Sequence, residues 1–297
     1  MKEFKDKVAV ITGAASGIGL GIARRAAKEG MKIVLADIEK DAILAAEEEL
    51  KSKGVDVISV VTDVSKIEDV ENLAQKTLDK FGAVHLLCNN AGVASPGFLW
   101  ETTLNDWKWA LGVNLWGVIH GILTFAPIMV QQDTECHIIN TSSMAGLMSG
   151  DAWNGIYSVS KQGVVALSES LKISLTQLGH KINVSVLCPG IVTTNIARCE
   201  RNRPEEFCDP DFEPYIERII KKHPHLETMA REMVNLWDKG TSADEAGDVV
   251  FEAIRRDIFY ILTEVGRFWK RALERRFQGI MDDYDKIYNL LKELKEI

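Results

Sequence analysis

A chain of 297 residues, 46% of them hydrophobic, is long enough to bury one large α/β core with additions. Its net charge of −8 and pI near 5.4 argue against nucleic acid or an anionic membrane as the main partner, because phosphate-binding surfaces need clustered Lys and Arg. Five scattered cysteines with no Cys-x-x-Cys pair speak against a disulfide framework or a zinc ribbon, and no metal is expected. No stretch reads as a signal peptide or a bilayer span, so the expected compartment is the cytoplasm.

Residues 8–11 are a continuous apolar run, the pattern of a strand buried on both faces of a parallel sheet. Glycines begin where that strand must end. Gly13, Gly17 and Gly19 let the backbone turn tightly, approach a pyrophosphate and seat a helix over 18–28, whose N-terminal N–H groups point at the phosphates. A second strand, 33–36, ends at Asp37, which either accepts hydrogen bonds from the adenosine ribose hydroxyls or caps the next helix. Nothing basic lies between Gly13 and Gly17, which disfavours a cofactor bearing a 2'-phosphate.

The alternation continues. A helix over 40–53 precedes a strand at 57–61 that runs into Asp63 and Val64; after a further helix, a strand at 84–88 ends in Asn89, Asn90, Ala91 and Gly92. One long helix is expected from Asn105 to about 131, with Asn114 on or beside its apolar face, where a buried amide must find hydrogen bonds. A strand at 138–140 leads to Ser142, Ser143 and Met144. Tyr157 and Lys161 then stand four apart on another helix, one above the other, so that an ammonium can lower the pKa of a phenol toward a working range. The sixth strand, 182–187, ends at Pro189 and Gly190, and the last covers 258–262; Ser242 to Glu245 form a capping box between them.

These motifs in this order (Thr12-Gly13-x-x-x-Gly17-x-Gly19, Asn89 to Gly92, Asn114, Ser143, Tyr157-x-x-x-Lys161 and Pro189 to Thr193) resemble the short-chain dehydrogenase/reductase family over roughly residues 5–263. The resemblance implies Tyr157 as general acid/base, Ser143 on the substrate oxygen, Lys161 on the ribose and lowering the tyrosine pKa, and Asn114 holding a water in a relay to Lys161. It places NAD against Gly13, Ser16, Gly17, Ile18, Gly19, Asp37, Asp63, Val64, Asn90, Ala91, Gly92, Tyr157, Lys161, Pro189 and Gly190. The backbone of Ile191 with Thr193 would hold the nicotinamide carboxamide. Ser143 and Tyr157 are fourteen apart, one more than in many relatives, so Ser142 rivals Ser143.

The expected fold is a doubly wound, Rossmann-type parallel α/β sheet of about seven strands with helices on both faces. Residues 1–264 would form the catalytic domain, with 195–240 as a lid or a plain surface excursion, and 265–297 a helical extension. The expected activity is hydride transfer between NAD and a secondary alcohol or ketone, in a homodimer or homotetramer. A silent NAD-binding regulator and an extended sugar-nucleotide epimerase or dehydratase are the rivals. Met144, Trp153, Met233 and Trp237, with Leu147, Met148 and Met229, suggest an apolar substrate pocket or, equally, core. In the tail, Leu273, Phe277, Ile280, Tyr284, Ile287, Leu291 and Leu294 form a heptad seam that lies either along its own subunit or against a neighbour.

Overall fold

The computed structural model describes residues 1–295 except 149, 151, 211, 237 and 238; the side chains at 233 and 236 are also outside the description. The organising strand is β1 (Val8–Thr12), every residue of which is buried. Successive side chains point to opposite faces. Ala9 and Ile11 therefore join Ile22, Leu50 and Phe251 in one hydrophobic layer, while Val8 and Val10 join Leu73, Phe125 and Leu175 in the other.

Helix α1 (Gly17–Lys28), β2 (Lys32–Asp37), α2 (Lys40–Lys51), β3 (Val57–Val61), α3 (Ile67–Phe81) and β4 (Leu86–Asn89) follow. Gly82 stops α3 in the left-handed conformation, as its position after the periodic run predicts. Then come α4 (Leu104–Leu111), α5 (Gly117–Gln132), β5 (Cys136–Thr141), the single turn α6 (Met144–Leu147), α7 (Gly155–Gln177) and β6 (Ile182–Cys188). Beyond β6 lie α8 (Tyr215–Lys222), α9 (Glu227–Leu236), α10 (Ala243–Arg255), β7 (Tyr260–Leu262) and α11 (Arg267–Lys295). The predicted capping box of Ser242 and Glu245 opens α10.

All pairings are parallel, in the order β3-β2-β1-β4-β5-β6-β7. The order reverses between β1 and β4, which opens a crevice at the carboxyl ends of those two strands. The fourth strand begins later than expected because the side chain of Gln132 takes the Val84 N–H at 2.7 Å. The seventh is shortened because Ile258 still bonds back to Ala253 at the end of α10.

Two expectations about the helix after Asn105 need correction. It is interrupted by a π-helical turn, Gly112–Trp116, that centres the break on Asn114. By length and composition the run Leu104–Gln132 is also apolar enough to cross a bilayer, contrary to the sequence reading. In this fold one face of it packs on the core: Phe125 and Met129 are fully buried against the sheet, and His120 Nδ1 is 2.9 Å from the Val64 carbonyl, whereas Trp116 and Leu123 are exposed.

Helices α1 and α10 approach closely enough to exclude side chains: a Cβ on Gly21 would lie 2.0 Å from the Ala243 carbonyl oxygen. Backbone cannot yield as a flexible side chain can. Gly21→Ala is expected to cost about 1–3 kcal/mol of unfolding free energy as an overpacked contact. Urea unfolding measures this; an unchanged midpoint would mean that the two helices separate without loss.

Candidate active site

The crevice is assembled from the loops after the first six strands, β1 to β6. Its base is the junction of the first and fourth. The Thr12 hydroxyl accepts the N–H groups of Asn90 at 2.9 Å and Ala91 at 3.1 Å, and the Asn90 amide donates to the Thr12 carbonyl at 3.0 Å. Gly13 sits between them at φ +63°, where a Cβ would come within 2.8 Å of the Ala91 Cα. Gly13, Ser16, Gly17 and Ile18 line one side of the crevice, Asp37, Asp63 and Val64 one end, and Asn90 to Gly92 with Pro189 and Gly190 the facing wall. Gly19 lies behind, packed on the Gly13 carbonyl.

Asp37 fits both of its expected roles. Its Oδ2 accepts the Ala15 N–H at 2.9 Å and its Oδ1 the Glu39 N–H at 3.0 Å, so it ties the glycine loop and turns the chain into α2. A carboxylate has about four lone-pair positions, which leaves acceptor capacity toward the crevice. Burial pushes the Asp37 carboxyl up, and the two N–H groups pull against that rise. Glu39 is also bound across the crevice, by Arg201 and by Asn202 at 2.9 Å, so the segment after Thr194 straps this end.

The polar groups at the other end come from β5 and α7. Ser143 caps α6 by accepting the Ala145 N–H at 3.1 Å, and its hydroxyl is within hydrogen-bonding reach of the Tyr157 phenol. Ser142 is otherwise engaged: its buried hydroxyl donates to the Lys161 carbonyl at 2.7 Å. That commitment favours Ser143 as the hydroxyl free to meet a ligand. Lys161 Nζ donates to the Thr141 carbonyl at 3.0 Å and lies 5.5 Å from the centre of the Tyr157 ring.

Asn114, held at the π-turn, accepts the Val93 N–H at 2.8 Å and donates to the Val93 carbonyl at 2.9 Å and to Ser160 at 3.2 Å. Its Oδ1 and Lys161 Nζ each come within 3.3 Å of the point a Gly92 Cβ would occupy, so the amide and the ammonium converge there.

The pKa logic read from the sequence is corrected here. Enclosure pushes the Tyr157 phenol up to about 12, against the opposing pull of Ser143, and brings the Lys161 ammonium down to about 8. Desolvation disfavours both charged forms and is the largest cause of each shift.

The two residues expected at the carboxamide, Ile191 and Thr193, are not on the crevice lining. Val192 bridges Thr241, so the chain from 190 to 194 is extended and its side chains alternate. Val192 and Thr194 line the crevice; the Thr193 hydroxyl instead donates to the Gly240 carbonyl at 3.2 Å, and the Ile191 carbonyl accepts the Thr241 N–H.

The apolar wall is different from the one expected. Met144 is buried in the layer with Val164, Val186 and Cys188, and Leu147 and Met148 pack on the same layer. Trp153 is buried against Ile219 and Ala230 of the helices beyond 214. Met229 is 56% exposed, because α9 turns Ala230 inward. The Met233 side chain and Trp237 lie outside the described residues. The wall is made by Val93, Trp109, Val113, Cys199 and Pro204. Trp109 and Val113 stand four apart on the helix that carries Asn114, a spacing visible in the sequence; that Cys199 and Pro204 face them was not.

A buried ionic cluster ties the segment 195–222 to this wall. Asp106 and Arg203 have fully buried side chains and meet at 2.7 Å, and Arg218 reaches the other Asp106 oxygen at 3.0 Å. Arg203 also donates to the Tyr215 hydroxyl at 2.7 Å and its guanidinium lies 5.3 Å from the Trp109 ring centre. Burial alone would push the Asp106 carboxyl up, but the Thr103 N–H, Arg203 and Arg218 hold it below the usual carboxylate range. Asp106→Ala would leave Arg203 buried without its partner, at an expected cost of about 3–5 kcal/mol. Cleavage within 195–222 under limited proteolysis, followed against the wild type, should accelerate. A variant as resistant and as stable as the wild type would show that apolar packing alone holds this segment.

Comparison with known proteins bears on this geometry. The model of the short chain dehydrogenase family matches residues 7–205. The CLA biosynthesis dehydrogenase/reductase of Lactiplantibacillus plantarum is 36% identical over 283 residues, covering 95% of this chain and 96% of that protein. The 1-deoxy-11-beta-hydroxypentalenate dehydrogenase of Streptomyces avermitilis is 34% identical over 262 residues, 88% of this chain and 85% of that one. Among solved structures, a short chain dehydrogenase/reductase from Burkholderia phymatum in complex with NAD superposes with a TM-score of 0.88 at 41% identity, over 95% of this chain and 97% of that chain.

Proposed function

The chain belongs to the short-chain dehydrogenase/reductase family of oxidoreductases, and from that premise we propose that it is an NAD-dependent enzyme interconverting an apolar secondary alcohol and its ketone. The observation that carries this reading is that Tyr157, Ser143 and Lys161 line the same crevice as the glycine loop and Asp37.

The residues present fit the dinucleotide. The Cβ-free approach at Gly13 and the N-terminus of α1 suit a pyrophosphate, Asp37 suits the adenosine ribose hydroxyls, and Asp63 with Val64 suits the adenine edge. Val192 and Thr194 take the carboxamide position that the sequence reading gave to Ile191 and Thr193. Bound NAD supplies the hydride acceptor, and NADH the donor, for the carbinol carbon.

The protein's own groups move the proton. Tyr157 takes it from the alcohol or gives it to the developing alkoxide, and Ser143 donates a hydrogen bond to the same oxygen. Lys161 holds the ribose and, in its protonated form, stabilises the phenolate that Tyr157 becomes; Asn114 converges with it beside Gly92 and supports a water-borne proton path. The walls of Val93, Trp109 and Val113 favour an apolar substrate body. Residues 195–236 act as the lid that encloses it, anchored by Asp106. A silent NAD-binding regulator would have no use for a proton donor and a hydroxyl aimed at one point, and the relatives above are dehydrogenases by name. NADH formation with a panel of apolar secondary alcohols tests the activity; no turnover with any of them, in either direction, would reject it.

Tyr157→Phe should lower turnover by about 100-fold to 10,000-fold while leaving NAD binding nearly unchanged, because the phenol hydroxyl serves the substrate and the cofactor is held mainly elsewhere. Steady-state kinetics and NAD titration measure the two separately. Retention of more than a tenth of the rate would remove Tyr157 from the proton path.

With Asp37 in place, a 2'-phosphate would face a carboxylate in a partly desolvated site, and even about 1.4 kcal/mol of repulsion gives tenfold discrimination. NADH should therefore be preferred over NADPH by at least about tenfold in kcat/KM, and Asp37→Ala should narrow the gap. Equal use of both by the wild type would mean that Asp37 serves only the glycine loop and the turn into α2.

A further inference from the structure

Helix α11 leaves its own subunit after Arg276. Trp269 and Leu273 pack beside Leu147 and Met148, and Arg276 donates to the Met148 carbonyl at 2.8 Å. From Phe277 to Lys295 every residue is exposed. Of the seam, only Leu273 lies along its own subunit; from Phe277 onward the seam is uncovered by it. The free stretch is not the polar cylinder of a solvated helix: Phe277, Ile280, Tyr284, Ile287, Leu291 and Leu294 are 49–64% exposed, on the a and d positions of a heptad. Most helical stability in proteins comes from packing an amphipathic face, and this face has nothing of its own subunit to pack on.

We propose that α11 is an association helix that pairs antiparallel with the α11 of a second copy of this chain. The charges beside the seam select both the partner and the direction. Setting Phe277 opposite the partner's Ile287, and Ile280 opposite the partner's Tyr284, makes a layers meet d layers along the seam and brings the partner's Leu291 to Leu273. In that register the flanking positions pair Arg276 with the partner's Asp283 and Glu274 with the partner's Lys295, and two-fold symmetry repeats both pairs. A parallel pairing in register would set Arg276 against the partner's Met281 and Asp283 against the partner's Tyr288, with no opposite charges met. The antiparallel pairing would place the partner's helix tip beside the root of α11, next to the segment that carries Ser143.

Light scattering on the full chain and on a variant ending at Arg276 provides the first readout. Truncation should halve the mass of the assembly while NAD binding shows the core intact; Ile287→Glu in the full chain should do the same, should the truncated protein fail to fold. An unchanged mass in a folded variant overturns the proposal. Direction is read by cysteine cross-linking under mild oxidation. An equal mixture of Ile280→Cys and Tyr284→Cys proteins should give covalent dimers well above the wild-type background, and either protein alone should not. Cross-linking of Ile280→Cys by itself indicates a parallel pair and overturns the register. No cross-link in the mixture, with the mass still halved on truncation, would place the partner's core rather than its helix on the seam and also overturns it.

Discussion

Every strand of the sheet runs the same way, and the rest of the molecule depends on that constraint. Parallel strands need a crossover between each neighbouring pair, so their carboxyl ends and the loops that follow them gather on one edge. Where the order reverses, between β1 and β4, the two loops diverge and leave space. The Thr12 hydroxyl and the Asn90 amide hold the two loops in register across that space. The dinucleotide groove, Ser143 and the first turn of α7 all descend from the same edge, which is how residues 130 positions apart in sequence come to face one ligand.

The site is polar only where it has to be. Ser142, Asn114 and Lys161 are buried, and each is satisfied by backbone or a neighbouring side chain, so they stiffen the floor from which Ser143 and Tyr157 project. The π-turn at Asn114 belongs to this arrangement. An extra residue in the helical turn re-aims one side chain without ending the helix, and here it delivers an amide to Val93 and Gly92 on the neighbouring loop. The high phenol and low ammonium pKa values follow from the same dryness. Both shifts run against the charged form, a balance that a charged ligand can tip.

Beyond Thr194 the chain is held by an ionic anchor as well as by an apolar layer. Asp106, capping α4 from the inside, receives Arg203 and Arg218, and the same Arg203 stacks near Trp109 on the crevice wall. A buried charge pair contributes little net stability but penalises every arrangement that separates it. Such a contact suits a segment held in one position along the crevice. At the other end of the crevice, Arg201 and Asn202 reach Glu39, so the same segment spans both the nucleotide end and the apolar wall.

Much of this was legible in the sequence because it depends on local rules. The apolar runs with glycine stops, the 3.6-residue periodicities, the Ser242 capping box and the four-residue spacing of Tyr157 and Lys161 are properties of neighbouring residues, and they determined the doubly wound sheet and the placing of Tyr157 and Lys161 on one helix. What failed or stayed open depended on contacts between distant segments. The bridge from Val192 to Thr241 sets which of two alternating faces meets the crevice, and it puts Thr194 rather than Thr193 on that face. Met144 and Trp153 carry the composition of a pocket but pack into layers whose other members come from β6 and from α8 and α9. The choice of Ser143 over Ser142 followed from a hydrogen bond to Lys161, nineteen residues on. Likewise the heptad seam of α11 was plain in the sequence, but only the fold decided that it leaves its own subunit at Arg276, because only there does the core surface beneath it end.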